Sequence, residues 1–166
     1  MMAKVNSSMQ LTRAADYGVR AMIHLASQGA DQRVLLQELS RATGAPESFL
    51  SKVLQALSRA GFVSSRRGQS GGFALLPRGR QASVRAVIEA IDGPICLNVC
   101  LAAGPSCERK GGCPAHPVWA RAQRAMLHVL EGISVAELAA GRQELAEDAF
   151  AAGAEGQEQG DVSGFR

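Results

Sequence analysis

Between Cys96 and His116 the chain reads CLNVCLAAGPSCERKGGCPAH, and these 21 residues hold all four cysteines and one of the three histidines. The spacing is Cys96-x3-Cys100-x6-Cys107-x5-Cys113-x2-His116. Thiolates and imidazole are soft donors, and in a loop punctuated by Gly and Pro they have the composition of a zinc or iron–sulfur site. No pair is Cys-x-x-Cys, so the usual zinc-ribbon and ferredoxin spacings do not apply, and spacing alone leaves the metal open. The competing reading is two disulfides. It is the weaker one for a chain expected in the cytoplasm, where thiols stay reduced.

Such a loop needs rigid flanks, and the sequence supplies them. Ser83 caps a helix predicted from Val84 to Ile91, which stops at Asp92-Gly93-Pro94. Beyond the loop, Pro117 opens a long helix to about Glu131, with Val118, Ala122, Ala125, Leu127, Val129 and Leu130 as apolar positions. These cover more than one stripe, so the helix can pack on its own chain and also on a second copy. Gly132 ends it, and Ser134 with Glu137 forms a capping box for a short last helix, Val135 to about Ala140. Residues 141–166, rich in Gly, Glu and Gln, are expected to be disordered.

The front of the chain has a different character. Thr12 can cap a helix to about Gln28. A second helix ends near Thr43, Gly44 suits a left-handed stop, and Pro46 opens a third. The third helix sets Leu50, Val53, Leu54 and Leu57 on one stripe and Ser48, Ser51, Lys52, Gln55 and Arg59 on the other. This is the helix-turn-helix pattern, although any corner of two helices has such a turn, and a polar stripe can be an ordinary solvated face. The residues after this helix decide between them. Phe62–Arg66 and Gly72–Leu76 read as paired strands joined by a basic, glycine-rich tip that includes Arg67. A helix-turn-helix followed by a basic hairpin is a winged helix, with Arg66 and Arg67 available to phosphates or a minor groove.

Charge is distributed accordingly. Residues 1–83 carry 11 Lys/Arg against 4 Asp/Glu, whereas residues 143–166 carry 1 against 6. A basic front suggests a polyanion partner. Hydrophobic residues make up 46% of the chain and aromatics only 4%, which favours helices packed through Ala, Leu and Val. No apolar run reaches the roughly 18 residues of a membrane span. Nucleotide loops, Ser/His/Asp arrangements and paired carboxylates are missing from the sequence, so no enzyme is expected. The expected fold class is mainly α with a small β-hairpin wing: a winged helix-turn-helix over residues 9–80, a cysteine loop and dimerisation helix over 81–140, and an acidic tail over 141–166.

These pieces, in this order, resemble the Rrf-two family of bacterial transcriptional regulators, with its IscR, NsrR and RirA groups. The resemblance rests on Met9-Gln10-Leu11-Thr12 with Asp16-Tyr17-Gly18-Val19-Arg20-Ala21-Met22, on the wing motif Ser65-Arg66-Arg67-Gly68-x-x-Gly71-Gly72, and on Cys100, Cys107 and Cys113 with His116 and Trp119 behind them. It covers about residues 9–140. It implies a homodimer whose long helices pair, binding a double-stranded DNA operator, with an iron–sulfur cluster ([2Fe–2S] or [4Fe–4S]) sensing iron, oxygen or nitric oxide. Cys100, Cys107 and Cys113 are the expected metal ligands. The fourth position is contested by His116, which matches a histidine in the IscR group; by Asp16, which matches a carboxylate of the NsrR group supplied across the dimer; and by Cys96. His116 is slightly preferred. Two departures stand out: the gap between Cys100 and Cys107 is one residue longer than in the IscR and NsrR patterns, and Cys96 is an extra thiol. The expected function is a repressor controlled by its cluster. The alternative is a winged-helix regulator with structural zinc or redox-active thiols.

Overall fold

The computed structural model describes residues 11–29, 32–68, 71–102 and 107–141. Its elements are α1 (Arg13–Ser27), α2 (Leu36–Thr43), α3 (Glu47–Arg59), β1 (Val63–Arg66), β2 (Gly72–Leu75), α4 (Pro77–Arg80), α5 (Val84–Asp92), a 3-10 turn (Val99–Leu101), α6 (His116–Glu131) and α7 (Val135–Ala139).

Three of the helices start where the sequence offers a side-chain oxygen to orphan N–H groups. The Ala15 amide donates to Thr12 Oγ1 at 3.1 Å, and the Ala86 amide to Ser83 Oγ at 3.1 Å. At α7 both halves of the Ser134–Glu137 capping box form. Caps of this kind stabilise a helix by about 1 kcal/mol each. Thr12 also acts at long range: its hydroxyl donates to Asp92 Oδ2 at 2.6 Å, fastening the start of α1 to the end of α5.

The corner between α2 and α3 is closed by side chains as well as backbone. Gly44 takes φ +73° and its N–H reaches the Ser40 carbonyl. Thr43, a buried polar residue of the core, donates to the Leu39 carbonyl at 2.7 Å and accepts from the Ala45 amide at 3.3 Å. Ser40 Oγ donates to the Ala45 carbonyl at 2.7 Å. Pro46 is the residue before α3 rather than its first turn, and its carbonyl accepts from Leu50.

The wing is a two-stranded antiparallel hairpin pairing Val63 with Leu75, Ser64 with Ala74, Ser65 with Phe73 and Arg66 with Gly72. It has a third contributor in the segment before α2. Val34, buried just before α2, bridges Phe73 through backbone hydrogen bonds of 2.8 and 2.9 Å.

Leu25, Leu39, Leu50, Leu54 and Leu57 form one continuous core with Val87 of α5 and Val135 of α7. α1 packs against α2, α3, α5 and α7, so α5, before the cysteine loop, and α7, after α6, share one core with the helix-turn-helix. A Cβ at Gly18 would collide with Ile91 Cδ1, so α1 and α5 meet at a distance that favours glycine. Two short elements are not foreseen by the sequence, α4 and the 3-10 turn, since three or four residues are too few to show a period. The predicted tail lies outside the described residues beyond Gly141. No described helix is long and apolar enough to cross a membrane.

Candidate DNA interface and metal-binding loop

On α3 the expected division of faces is present. Leu50, Val53, Leu54 and Leu57 are buried, while Ser48, Gln55 and Arg59 are among its outward residues. Lys52 is exposed too, and Ser51 is half-buried. Arg66 ends β1 and Arg67 succeeds it, both exposed. Lys52, Arg59, Arg66 and Arg67 make no ion pair among the described residues, so their charge is open to an external anion. The remaining tip residues, 69 and 70, lie outside the described residues.

A residue that the sequence does not single out holds the wing in place. Arg33 donates to the Gly72 carbonyl at 3.1 Å and to Ser64 Oγ at 3.4 Å, gripping both strands from the segment before α2. At the other side, Arg78 lies over the Phe62 ring, 5.6 Å from its centroid. Neither contact leaves a trace in sequence, because both join residues far apart. Phe49 is a further residue that sequence reasoning misses. It is 40% exposed on α3, and its ring meets Tyr17 of α1 edge-on at 5.9 Å and 81°. Here a signal exists: a large apolar residue beside the polar stripe of an amphipathic helix.

In the second region all four thiols are free. Cys100 is buried in the 3-10 turn, and Cys96, Cys107 and Cys113 are half-buried. Residues 103–106, between Cys100 and Cys107, lie outside the described residues. His116 is the first residue of α6, one earlier than expected, and its amide donates to the Cys113 carbonyl at 3.1 Å. Its Nδ1 is buried and has no hydrogen-bond partner among the described residues. Asp16 is engaged with Arg20 one turn along α1, Nη2 to Oδ2 3.0 Å. Among the described residues, no three His, Cys, Asp or Glu side chains stand close enough together to hold a metal ion.

As donors, the residues nevertheless fit an iron–sulfur or zinc centre. Three thiols without disulfide partners and a buried imidazole nitrogen with no other bond are groups that a soft metal would satisfy. The frame around them is partly fixed. The Leu97 amide donates to Gln123 Oε1 of α6 at 2.8 Å, and the Ile95 amide to Glu89 Oε1 of α5 at 3.4 Å, so the loop is tied to both flanking helices.

α6 has no buried residue. Trp119 is 39% exposed, with Val118 at 59% and Val129 at 37%. α6 lies along α5 with its residues at most half-buried, and it is anchored through Gln123 and its C-terminal end. There the Ser83–Ser134 bridge and the hydrogen bond from the Val84 amide to the Ile133 carbonyl, 2.9 Å, join it to α5.

The sequence pattern of Rrf2, an iron-dependent transcriptional regulator, matches residues 11–141. The chain belongs to the Rrf2 family. A protein of Rhodobacter capsulatus described as an rrf2-like HTH-type transcriptional regulator is 30% identical over 138 residues, covering 78% of this chain and 92% of that one. The oxidised form of Staphylococcus aureus CymR superposes with a TM-score of 0.63 at 25% identity, over 79% of this chain and 96% of that one. IscR of T. potens shares the fold, with a TM-score of 0.64 at 23% identity over 92% and 95% of the two chains. This Rrf2-family chain is thus a winged-helix transcriptional regulator and not an enzyme.

Proposed function

We propose that the protein is a homodimeric repressor whose affinity for its DNA operator is set by an iron–sulfur cluster held in the loop before α6. Cys100, Cys107 and Cys113 are the thiolate ligands, with His116 as fourth ligand and Asp16 the alternative. The observation that carries this reading is the buried, unpartnered His116 Nδ1 three residues beyond the free Cys113, at the start of a helix with no fully buried residue. When bound, the cluster supplies a redox- and nitric-oxide-sensitive centre.

The protein's own residues do the rest. Gln123 and Glu89 hold the loop backbone to α6 and α5. Thr12, bonded to Asp92, and Gly18, against Ile91, lock α5 to α1 and so to the helix-turn-helix. Lys52, Gln55, Ser48 and Ser51 face the major groove, Arg59 lies at the end of the same stripe, and Arg66 and Arg67 reach phosphates from the wing. Repositioning α6 against its partner copy alters the spacing of the two α3 helices, which a dimeric operator requires at about one DNA turn.

The first test is anaerobic purification with metal analysis and a visible spectrum. Brown protein with iron and sulfide supports the proposal; colourless protein with one zinc per chain favours the structural-zinc reading. Colourless, metal-free protein favours redox-active thiols, a reading to which the oxidised CymR structure lends interest. His116→Ala, Asp16→Ala and Cys96→Ala then identify the fourth ligand by loss of cluster or a changed spectrum. If all three keep a parent-like cluster, the fourth ligand is external to the chain.

A further inference from the structure

Phe49 stands apart from the residues on either side of it. It occupies the third position of α3, one residue after Ser48 and three before Lys52, with 40% of its surface exposed. A helix advances about 100° per residue, so Phe49 lies at the rim of the polar stripe, on the flank nearest Lys52. Its ring is held. Tyr17 of α1 meets it in a T-shaped contact at 5.9 Å, and much of the ring remains uncovered. An aromatic ring braced on one side and open on the other, at the N-terminal turn of a groove-entering helix, is equipped to touch an apolar group on a base edge. The thymine C5-methyl is the one apolar group displayed in the major groove.

We infer that Phe49 is a specificity-determining residue that reads a thymine methyl in each operator half-site, with Tyr17 as the positioning residue that fixes its ring. This rests on the DNA-binding reading and adds to it an apolar contact among otherwise polar ones. A methyl contact discriminates because replacing thymine by deoxyuridine removes only that methyl and leaves every hydrogen-bonding group unchanged.

The test begins with a duplex selected by the protein from a randomised library, and each thymine is then replaced by deoxyuridine in turn. For the parent, deoxyuridine at one position in each half-site should weaken binding about fourfold per methyl. Phe49→Ala and Phe49→Gln should bind the thymine and deoxyuridine duplexes equally, while retaining the parent's circular dichroism and its non-specific binding at low salt. The polar Gln variant keeps side-chain length over Tyr17 and guards against a packing defect in the Ala variant. Tyr17→Ala should lower the methyl discrimination, and Tyr17→Phe should restore it. Phe49 variants that discriminate as the parent does, or a parent indifferent to every thymine methyl, overturn the inference while leaving DNA binding intact. Failure to select any duplex overturns the DNA-binding reading and this inference with it. Dissociation of the dimer by Phe49→Ala also overturns it, by assigning the ring to a subunit contact.

Discussion

Gly72 shows how much one residue can decide in the wing. Its φ is +124°, and a Cβ there would lie 2.7 Å from the Val34 carbonyl oxygen, in the bridge that joins the hairpin to the segment before α2. Gly72→Ala should therefore cost about 1–3 kcal/mol, from backbone strain and the steric clash together. Urea denaturation will measure it, and an unchanged midpoint would mean that the wing is not held as described. Arg67 makes no ion pair among the described residues, so its removal should leave the fold alone and act on DNA. Arg67→Ala should weaken binding to all sequences and reduce the slope of log affinity against log salt by about 1. Gel-shift titrations at several salt concentrations read both effects; parent-like binding would remove Arg67 from the interface. Arg33, which grips Gly72 and Ser64, should behave differently. Its loss should lower wing stability as well as affinity.

At the scale of elements, α6 is the exception. The other helices of eight residues or more each bury at least two side chains, and α6 buries none. Exposed Val118, Trp119 and Val129 on a helix of 16 residues are costly to leave in water, and the proposed pairing with a second copy would remove that cost. Sedimentation should show a dimer at micromolar concentration. Val118→Glu with Trp119→Ser should shift it towards monomer while the helix-turn-helix stays folded, since neither residue belongs to the core. A variant that remains fully dimeric would place the interface elsewhere. The α1–α5 contact is the opposite case, dense and intolerant. Gly18→Ala must displace Ile91, so its effect should appear in stability and also in how DNA affinity answers to the state of the loop.

At the scale of the whole molecule, the cysteine loop and α3 are joined through the packed helices α5 and α1. Thr12, Asp92, Gly18 and Ile91 form that junction. Removing the proposed cluster from anaerobically prepared protein should change operator affinity by about 5- to 150-fold, the range of ordinary coupling energies. Thr12→Ala, which cuts the tie to Asp92 and the α1 cap, should shrink the difference between the two forms. Fluorescence anisotropy of both forms, parent and variant, is the measurement. Equal affinity with and without the cluster would dissociate the loop from DNA control.

Local features were legible in the sequence because they are written in neighbouring residues. Thr12, Ser83 and the Ser134–Glu137 box announced their helices, Gly44 its left-handed turn, the Leu50–Leu57 stripe its buried face, and the two short β runs the wing. The thiols and His116 offered a soft-metal reading by residue type, and that reading is the basis of the proposed function. Tertiary structure decided what depends on distant partners: the Val34 bridge, the Arg33 grip, the Tyr17–Phe49 contact and the fastening of Thr12 to Asp92. It also decided that Trp119 lies on an uncovered helix, because an apolar residue at helical spacing records only that something will cover it. Whether that cover is the chain's own core or a second copy depends on where the helix stands, and the hydrogen bonds at Gln123 and Ile133 fasten α6 to the loop and to the start of α5 with Val118, Trp119 and Val129 left exposed.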